Sequence, residues 1–436
     1  MPLLFKPVFL FLLTILSVKN KCNDHKTAGE AIAATDRADT SFTEIMPGSA
    51  RINVYLPLLK GQRVALFANH TSMVKDKHLA DVLVENGTTI KKVFAPEHGF
   101  RGKADAGEKV GNSIDAETGI PVVSLYGPKR KPSAEDMQDV DIVIFDIQDV
   151  GVRFYTYISS LQDIMEACIT FNKPLMVMDR PNPNGFYVDG PVLDMQYKSF
   201  VGMQPVPVVY GMTIGEYAAM LLKENMLTVK SPVTTVNIDD AAKPEKKFSL
   251  TIIKNENYTH RSRYVLPVKP SPNLPDIQTI YLYPSTCFFE GTVLSEGRGT
   301  DKPFKVFGHP ALPDNLYSFT PNPTDGAKHS KLYGQKCYGW NLDGTVEEVL
   351  KEVDNRIQLK YLAEAYRLFP DKQKFFILPK SGKMEESFFN KLAGNNELWQ
   401  QLKNGVSEDE IRKSWEPALG TFRQMRKKHL LYEDFE

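Results

Sequence analysis

Cysteine is scarce in this chain. Four occur among 436 residues, at Cys22, Cys168, Cys287 and Cys337. Setting Cys22 aside leaves three at wide spacings, which is neither a disulfide framework nor the paired spacing of a zinc site. Cys168 and Cys287 lie in apolar segments, so buried free thiols are expected. An excess of charge is also missing. Lys and Arg total 53, and Asp and Glu total 53. That balance argues against a nucleic-acid binder relying on a strongly basic domain, and equally against an acidic disordered chain. No internal repeat and no low-complexity block occur. The common catalytic strings are absent too. There is no Gly-x-Gly-x-x-Gly after the first strand, which argues against a dinucleotide. There is no Walker-type phosphate loop, no Gly-x-Ser-x-Gly elbow and no His-Glu-x-x-His zinc helix.

What is present is ordinary for a protein with a real core: 42% hydrophobic and 24% charged residues. At about 150 residues per domain, the length suggests two or three domains. The chain opens with Lys6, an apolar run over 7–18, and then Lys19-Asn20-Lys21-Cys22. A basic start and an apolar run this short predict a secretory signal over 1–22, with a short membrane anchor as the alternative. Cys22 stands where a bacterial lipoprotein carries its lipidated cysteine, but Lys21 occupies a position that favours a small residue. Both states of Cys22 stay open. Residues 23–44 are polar and short of aromatics, and are expected to be a tether. The expected location is outside the cytoplasm, in the periplasm or cell envelope, with or without a lipid at Cys22.

From there strands and helices alternate. Strands are expected over 63–68, 93–95, 121–126, 141–146 and 174–179. Helices are expected over 78–86, over a stretch carrying Ile158, Leu161, Met165 and Cys168 on one face, and over 213–225, where Thr213 and Glu216 form a capping box. Strands apolar on both faces, alternating with helices, imply a parallel sheet covered on both sides. The expected fold class is α/β: a Rossmann-like doubly wound parallel sheet domain over 45–238, and a second, smaller α/β (α+β) C-terminal domain over 239–436. Residues 240–340 mix short strands with many prolines. One helix is expected over 347–368 and another over 408–428, with Ser407 and Glu410 as its capping box.

Ligands of open parallel sheets bind outside the carboxyl ends of the strands. Asn69 follows the first strand. Glu97, His98 and Arg101 follow the second, and Tyr126-Gly127 the third. The fourth is followed by Asp146, Gln148, Asp149, Arg153, Tyr155 and Tyr157, and the fifth by Asp179-Arg180-Pro181-Asn182. One rim thus gathers carboxylates, amides, a histidine, arginines and tyrosines, as a sugar site does: planar groups bond hydroxyls, aromatics stack on pyranose faces and carboxyls handle the proton and the cation-like transition state. Glu97, beside Pro96 and Gly99-Phe100, suits a general acid; it could instead pair with Arg101. His98 fits a rim residue that fixes its loop. Asp146 and Asp149 suit a nucleophile or base, sugar-hydroxyl acceptors, or magnesium ligands together with Asp179; Arg153 could simply pair with one of them. Further on, Ser271-Pro272-Asn273-Leu274-Pro275 reads as a rigid turn. A strand-like apolar run then leads to Glu290, and Glu296-Gly297-Arg298-Gly299 suggests a loop over the cleft.

These strings are long and uncommon. Pro96-Glu97-His98-Gly99, Asp146-Ile147-Gln148-Asp149-Val150-Gly151 with Arg153-Phe154-Tyr155-Thr156-Tyr157, Asp179-Arg180-Pro181-Asn182-Pro183 and Phe289-Glu290-Gly291-Thr292 resemble the NamZ-type exo-β-N-acetylmuramidases, from about residue 50 to the C-terminus. The resemblance implies a Rossmann-like domain and a smaller α/β domain with a cleft between them. It implies removal of terminal N-acetylmuramic acid from the non-reducing end of peptidoglycan sugar chains. The family's proposed catalytic glutamate falls on Glu97. Asp149 and Glu290 are the next catalytic candidates, and no metal, cofactor, nucleic acid or partner protein is implied. The lactyl group of the sugar is an anion, so the site needs a cation: Arg153 first, then Arg298 and Arg101. Lys269, where a proline is expected, and Ser285, where a glycine is expected, are small departures. Two rivals stay open: a metal-dependent hydrolase built on Asp146, Asp149 and Asp179, and a cell-wall binding protein without catalysis.

Overall fold

Residues 63–68, 142–146 and 175–178 are apolar at nearly every position, and such strands require cover on both faces. The computed structural model describes residues 44–97, 99–101, 111–239 and 247–436. The expected signal, Cys22, all of the tether except Glu44, and His98 therefore lie outside the described residues. In chain order the strands begin with β1 (Arg63–Ala68), the small hairpin β2 (Met73–Val74) and β3 (Lys77–His78), and β4 (Thr89–Ala95). Next come β5 (Ser113–Ile114), β6 (Pro121–Ser124), β7 (Ile142–Asp146), β8 (Leu175–Met178), β9 (Val236–Ile238) and β10 (Leu250–Ile253). All but the hairpin join one sheet in the order β5-β6-β4-β1-β7-β8-β10-β9. Its pairs are parallel except β5 with β6. The chain winds outward from β1 through β4 to β6, returns to β7 on the other side of β1 and continues to β8, after which β9 takes the edge and β10 inserts between β8 and β9. Its switch point lies between β1 and β7, where doubly wound sheets open for ligands.

Alternation along each strand fills two cores. Val64, Leu66, Ile142, Ile144, Met176 and Met178 face one; Ala65, Phe67, Val143, Phe145, Leu175 and Val177 face the other. Phe67 stacks on Phe145 with centroids 4.8 Å apart. Each such large side chain, once fully buried, contributes about 1.5–3 kcal/mol. Helices α1 (Ile52–Leu59) and α2 (Leu79–Glu85) cover the first face. After the short α3 (Ala134–Met137), helices α4 (Tyr157–Thr170) and α5 (Ile214–Lys223) cover the second. The capping box at Thr213 and Glu216 is formed.

The second core continues into the C-terminal region. There α6 (Ile277–Thr286) runs into a 3-10 turn, Cys287–Gly291. The run before Glu290 is therefore helical and not a strand: Asp276 caps it by accepting from the Thr279 amide. Strands β11 (Val306–His309), β12 (Tyr317–Phe319) and β13 (Cys337–Asn341) form a small antiparallel sheet. The helix expected over 347–368 is two helices, α7 (Val346–Val353) and α8 (Lys360–Leu368), because Asp354 and Asn355 both take left-handed backbone at φ 49° and 52°. Helices α9 (Phe388–Ala393), α10 (Glu397–Lys403) and α11 (Glu408–Lys427) follow, the last with the Ser407–Glu410 capping box. The expected boundary after residue 238 falls between β9, which ends at Ile238, and β10, and these two strands pair within one sheet. Cys168, Cys287 and Cys337 are free and buried. Among the described residues no helix is long and apolar enough to cross a membrane.

Candidate active site

Four carboxyl-edge segments of the large sheet and the start of the C-terminal region enclose a cavity of about 340 Å³. Glu97 enters it directly after β4, and Tyr126 shortly after β6. The Tyr126 hydroxyl donates to Glu97 Oε1 at 2.9 Å. Phe154, Tyr155, Thr156 and Tyr157 come from the turn into α4. Thr156 takes φ 73°, an unusual backbone for a β-branched residue and one found where a site fixes its geometry. Tyr155 and Tyr157 pack edge to face at 5.0 Å. The Tyr155 hydroxyl donates to the Pro270 carbonyl at 2.8 Å, and Asn69 Nδ2 donates to the Tyr157 hydroxyl at 2.8 Å.

Burial, and then the Glu97 charge, pushes Tyr126 up to about 12. Burial first, with Glu97 and Asp149 adding to it, holds Tyr157 well above the usual phenol range. These tyrosines therefore remain O–H donors, suited to sugar hydroxyls and to a carboxyl group.

The C-terminal region supplies the other side of the cavity. Ser271, Asn273 and Leu274 contribute the expected turn, closed by the Leu274 amide on the Ser271 carbonyl at 3.0 Å. Tyr283 reaches in from α6, Glu290 from the 3-10 turn, and Arg298 and Phe304 from the loop beyond. Arg298 is held by two carboxylates, Glu290 at 2.7 Å and Glu296 at 3.4 Å, and lies over the Phe304 ring. Lys331 pairs with the second Glu296 oxygen at 2.7 Å. Glu97 and Glu290 are the carboxylates that line this cavity.

Of the residues expected from the sequence, Glu97, Tyr155, Tyr157, Glu290 and Arg298 meet here, and Asn69 supports Tyr157. Others do not meet them. Arg153, expected to bind the lactyl anion, is 0% exposed. It donates to the carbonyls of Pro191, Val206 and Leu392 at 2.9, 2.7 and 2.7 Å, so it ties loops together and faces no ligand. Burial pulls its pKa down. Arg101 grips Asp115 in a fork at 3.0 and 2.8 Å, with Asp81 at 3.4 Å. Asp146 is buried in a fork with Arg180 at 2.6 and 2.9 Å. Gln148 Nε2 donates to the Asp149 and Pro181 carbonyls at 2.8 and 2.7 Å. Asn182 donates to the Met212 carbonyl at 2.8 Å and packs against Gly151, where an added Cβ would lie 2.1 Å from its oxygen.

Asp149 is buried. Its Oδ2 accepts from the Gly151 amide at 2.6 Å and from the Tyr210 hydroxyl. It does not line this cavity, though its charge reaches Tyr155 and Tyr157. Asp179 accepts from Thr213, Gly215 and Tyr432. Asp146, Asp149 and Asp179 are thus engaged separately, and among the described residues no three His, Cys, Asp or Glu side chains converge as a metal site. Tyr126, Arg130 and Phe200 line the cavity without having been singled out as site residues. The signal for Arg130 was the basic run Lys129-Arg130-Lys131 between two prolines, just past the third strand's carboxyl end.

Two carboxylates and several tyrosines in one aromatic-lined cavity, at the carboxyl edge of a doubly wound sheet, define a glycosidase-type site. The comparisons agree. The N-terminal and C-terminal models of the exo-beta-N-acetylmuramidase NamZ match residues 64–278 and 281–432, so the chain belongs to this family. It is 38% identical over 399 residues to the peptidoglycan beta-N-acetylmuramidase NamZ of Bacillus subtilis (strain 168), covering 87% of this chain and 89% of the relative. Two crystal structures of DUF1343 family proteins from Bacteroides fragilis NCTC 9343 share the fold. One has a TM-score of 0.77 and 42% identity, covering 90% of this chain and 100% of its own. The other has a TM-score of 0.70 and 26% identity, covering 89% and 99%.

Proposed function

We propose that this chain is a glycoside hydrolase that removes β-linked N-acetylmuramic acid from the non-reducing end of peptidoglycan sugar chains. The observation that carries this reading is the pair Glu97 and Glu290 in one cavity with tyrosine donors, in a chain of the exo-beta-N-acetylmuramidase family. Glu97 is the general acid. Tyr126 donates to its Oε1 and holds the carboxyl group in position. Glu290, paired with Arg298, faces the positive charge that develops on the sugar ring in the transition state. Phe154 and Tyr283 contribute apolar surface to the cavity lining against which a pyranose can pack.

The charged start, the apolar run over 7–18 and the polar stretch that follows support export to the envelope, where peptidoglycan lies. Fractionation of the native host tests this: processed protein in the envelope is expected, and unprocessed protein in the cytoplasm would reject it. The activity is tested with a chromogenic β-N-acetylmuraminide beside the matching β-N-acetylglucosaminide. Release from the muraminide at no less than ten times the rate of the other, about 1.4 kcal/mol, is expected. Equal rates, or no release, would contradict the reading. Glu290→Gln should lower muraminide turnover by about 10²-fold or more with its KM little changed, since the charge is used in the transition state.

A further inference from the structure

Muramic and glucosamine sugars differ in one substituent, an ether-linked lactyl group that carries a carboxylate. Discrimination between them must come from contacts with that group. Among the described residues, the cavity is lined by two cationic side chains, Arg130 and Arg298. Arg298 is occupied by Glu290 and Glu296. Arg130 pairs with no carboxylate among the described residues; its guanidinium lies over the Phe200 ring, 3.9 Å from the centroid. The basic residues on either side of it are taken. Lys129 pairs with Asp136 at 2.6 Å, and Lys131 with Asp163 and Glu166.

Position supports the same residue. Arg130 is close enough to Tyr126 for its charge to oppose that of Glu97 on the phenol, so it stands on the acid's side of the cavity. Arg130 and Phe200 also line an adjoining cavity with Lys129, Lys131, Asp163 and Lys198, where Lys129 and Lys131 are paired with carboxylates and Lys198 pairs with none among the described residues. A guanidinium seated over an aromatic ring has its N–H donors left for another partner, and their fork matches a carboxylate.

We propose that Arg130 is the specificity-determining residue, its guanidinium receiving the lactyl carboxylate of the terminal sugar while Phe200 supports it. The proposal rests on the muramidase reading above. Three chromogenic substrates separate the two: the β-N-acetylmuraminide, its lactyl methyl ester, and the β-N-acetylglucosaminide. The wild type is expected to prefer the free acid over the ester. Arg130→Gln should lower kcat/KM for the acid about tenfold, mostly through KM. It should leave the ester and the glucosaminide within about twofold, so the preference collapses. Arg130→Lys should recover part of it. Arg130 is exposed, so both variants should melt like the wild type. An unchanged acid-to-ester ratio in Arg130→Gln, or an equal loss on all three substrates, overturns the proposal and leaves the muramidase reading standing. A wild type that cleaves neither muraminide overturns both.

Discussion

The Tyr126 hydroxyl donates to Glu97 Oε1 at 2.9 Å, joining the loops that follow two neighbouring parallel strands, β6 and β4. Tyr126→Phe removes that bond and little else. A neutral hydrogen bond is worth about 0.5–1.5 kcal/mol net, so kcat on the muraminide should fall by about tenfold at most while the melting temperature barely moves. Stopped assays on the purified variant check this. A kcat equal to the wild type would mean that the tyrosine does not orient the acid.

Arg153 should behave as a structural residue. Arg153→Met strands three buried carbonyls, those of Pro191, Val206 and Leu392. A loss of roughly 3–5 kcal/mol of stability is expected, read from urea midpoints. The fraction that folds should keep the wild-type preference for the muraminide. Lost preference with intact stability would return Arg153 to the binding site.

The contribution of Asp149 to stability should fall as pH rises from about 4 to about 6. Burial pushes the Asp149 carboxyl up to about 6, whereas in the unfolded chain it titrates near ~3.9. Between those values the folded protein keeps a proton that the unfolded chain has released, so each step up in pH favours unfolding. The full span is roughly 3 kcal/mol. Asp179, pushed up to about 7 by burial and then by Glu216, acts in the same sense. Asp149→Asn should flatten the Asp149 share of the slope and leave the rest. Parallel stability curves for variant and wild type between pH 4 and 6 would contradict the assignment.

The large sheet was legible because β1, β7 and β8 are buried on both faces, and that leaves an unbroken apolar signal. The rim was legible because residues that follow parallel strands share one edge. Other features were not. Ile280-Tyr281-Leu282-Tyr283 is short, apolar and aromatic, so its pattern cannot separate a buried strand from a buried helix; the Asp276 cap decides it. The Arg153 acceptors lie 38, 53 and 239 residues away, and no local pattern announces such partners. Arg101 looked available because Asp115, 14 residues on, gives no sign in sequence that it will fold back.

The central claim is that Glu97 is the acid of a muramidase, and one comparison tests it most directly. The turnover of Glu97→Gln is measured on the chromogenic β-N-acetylmuraminide beside its melting temperature. Glutamine fills nearly the same volume and still accepts from Tyr126, but it has no proton to give. A positioned general acid is worth about 10²–10⁴-fold, so a loss of that size with unchanged melting is expected. A variant that melts like the wild type and keeps more than about a tenth of its kcat would contradict the account.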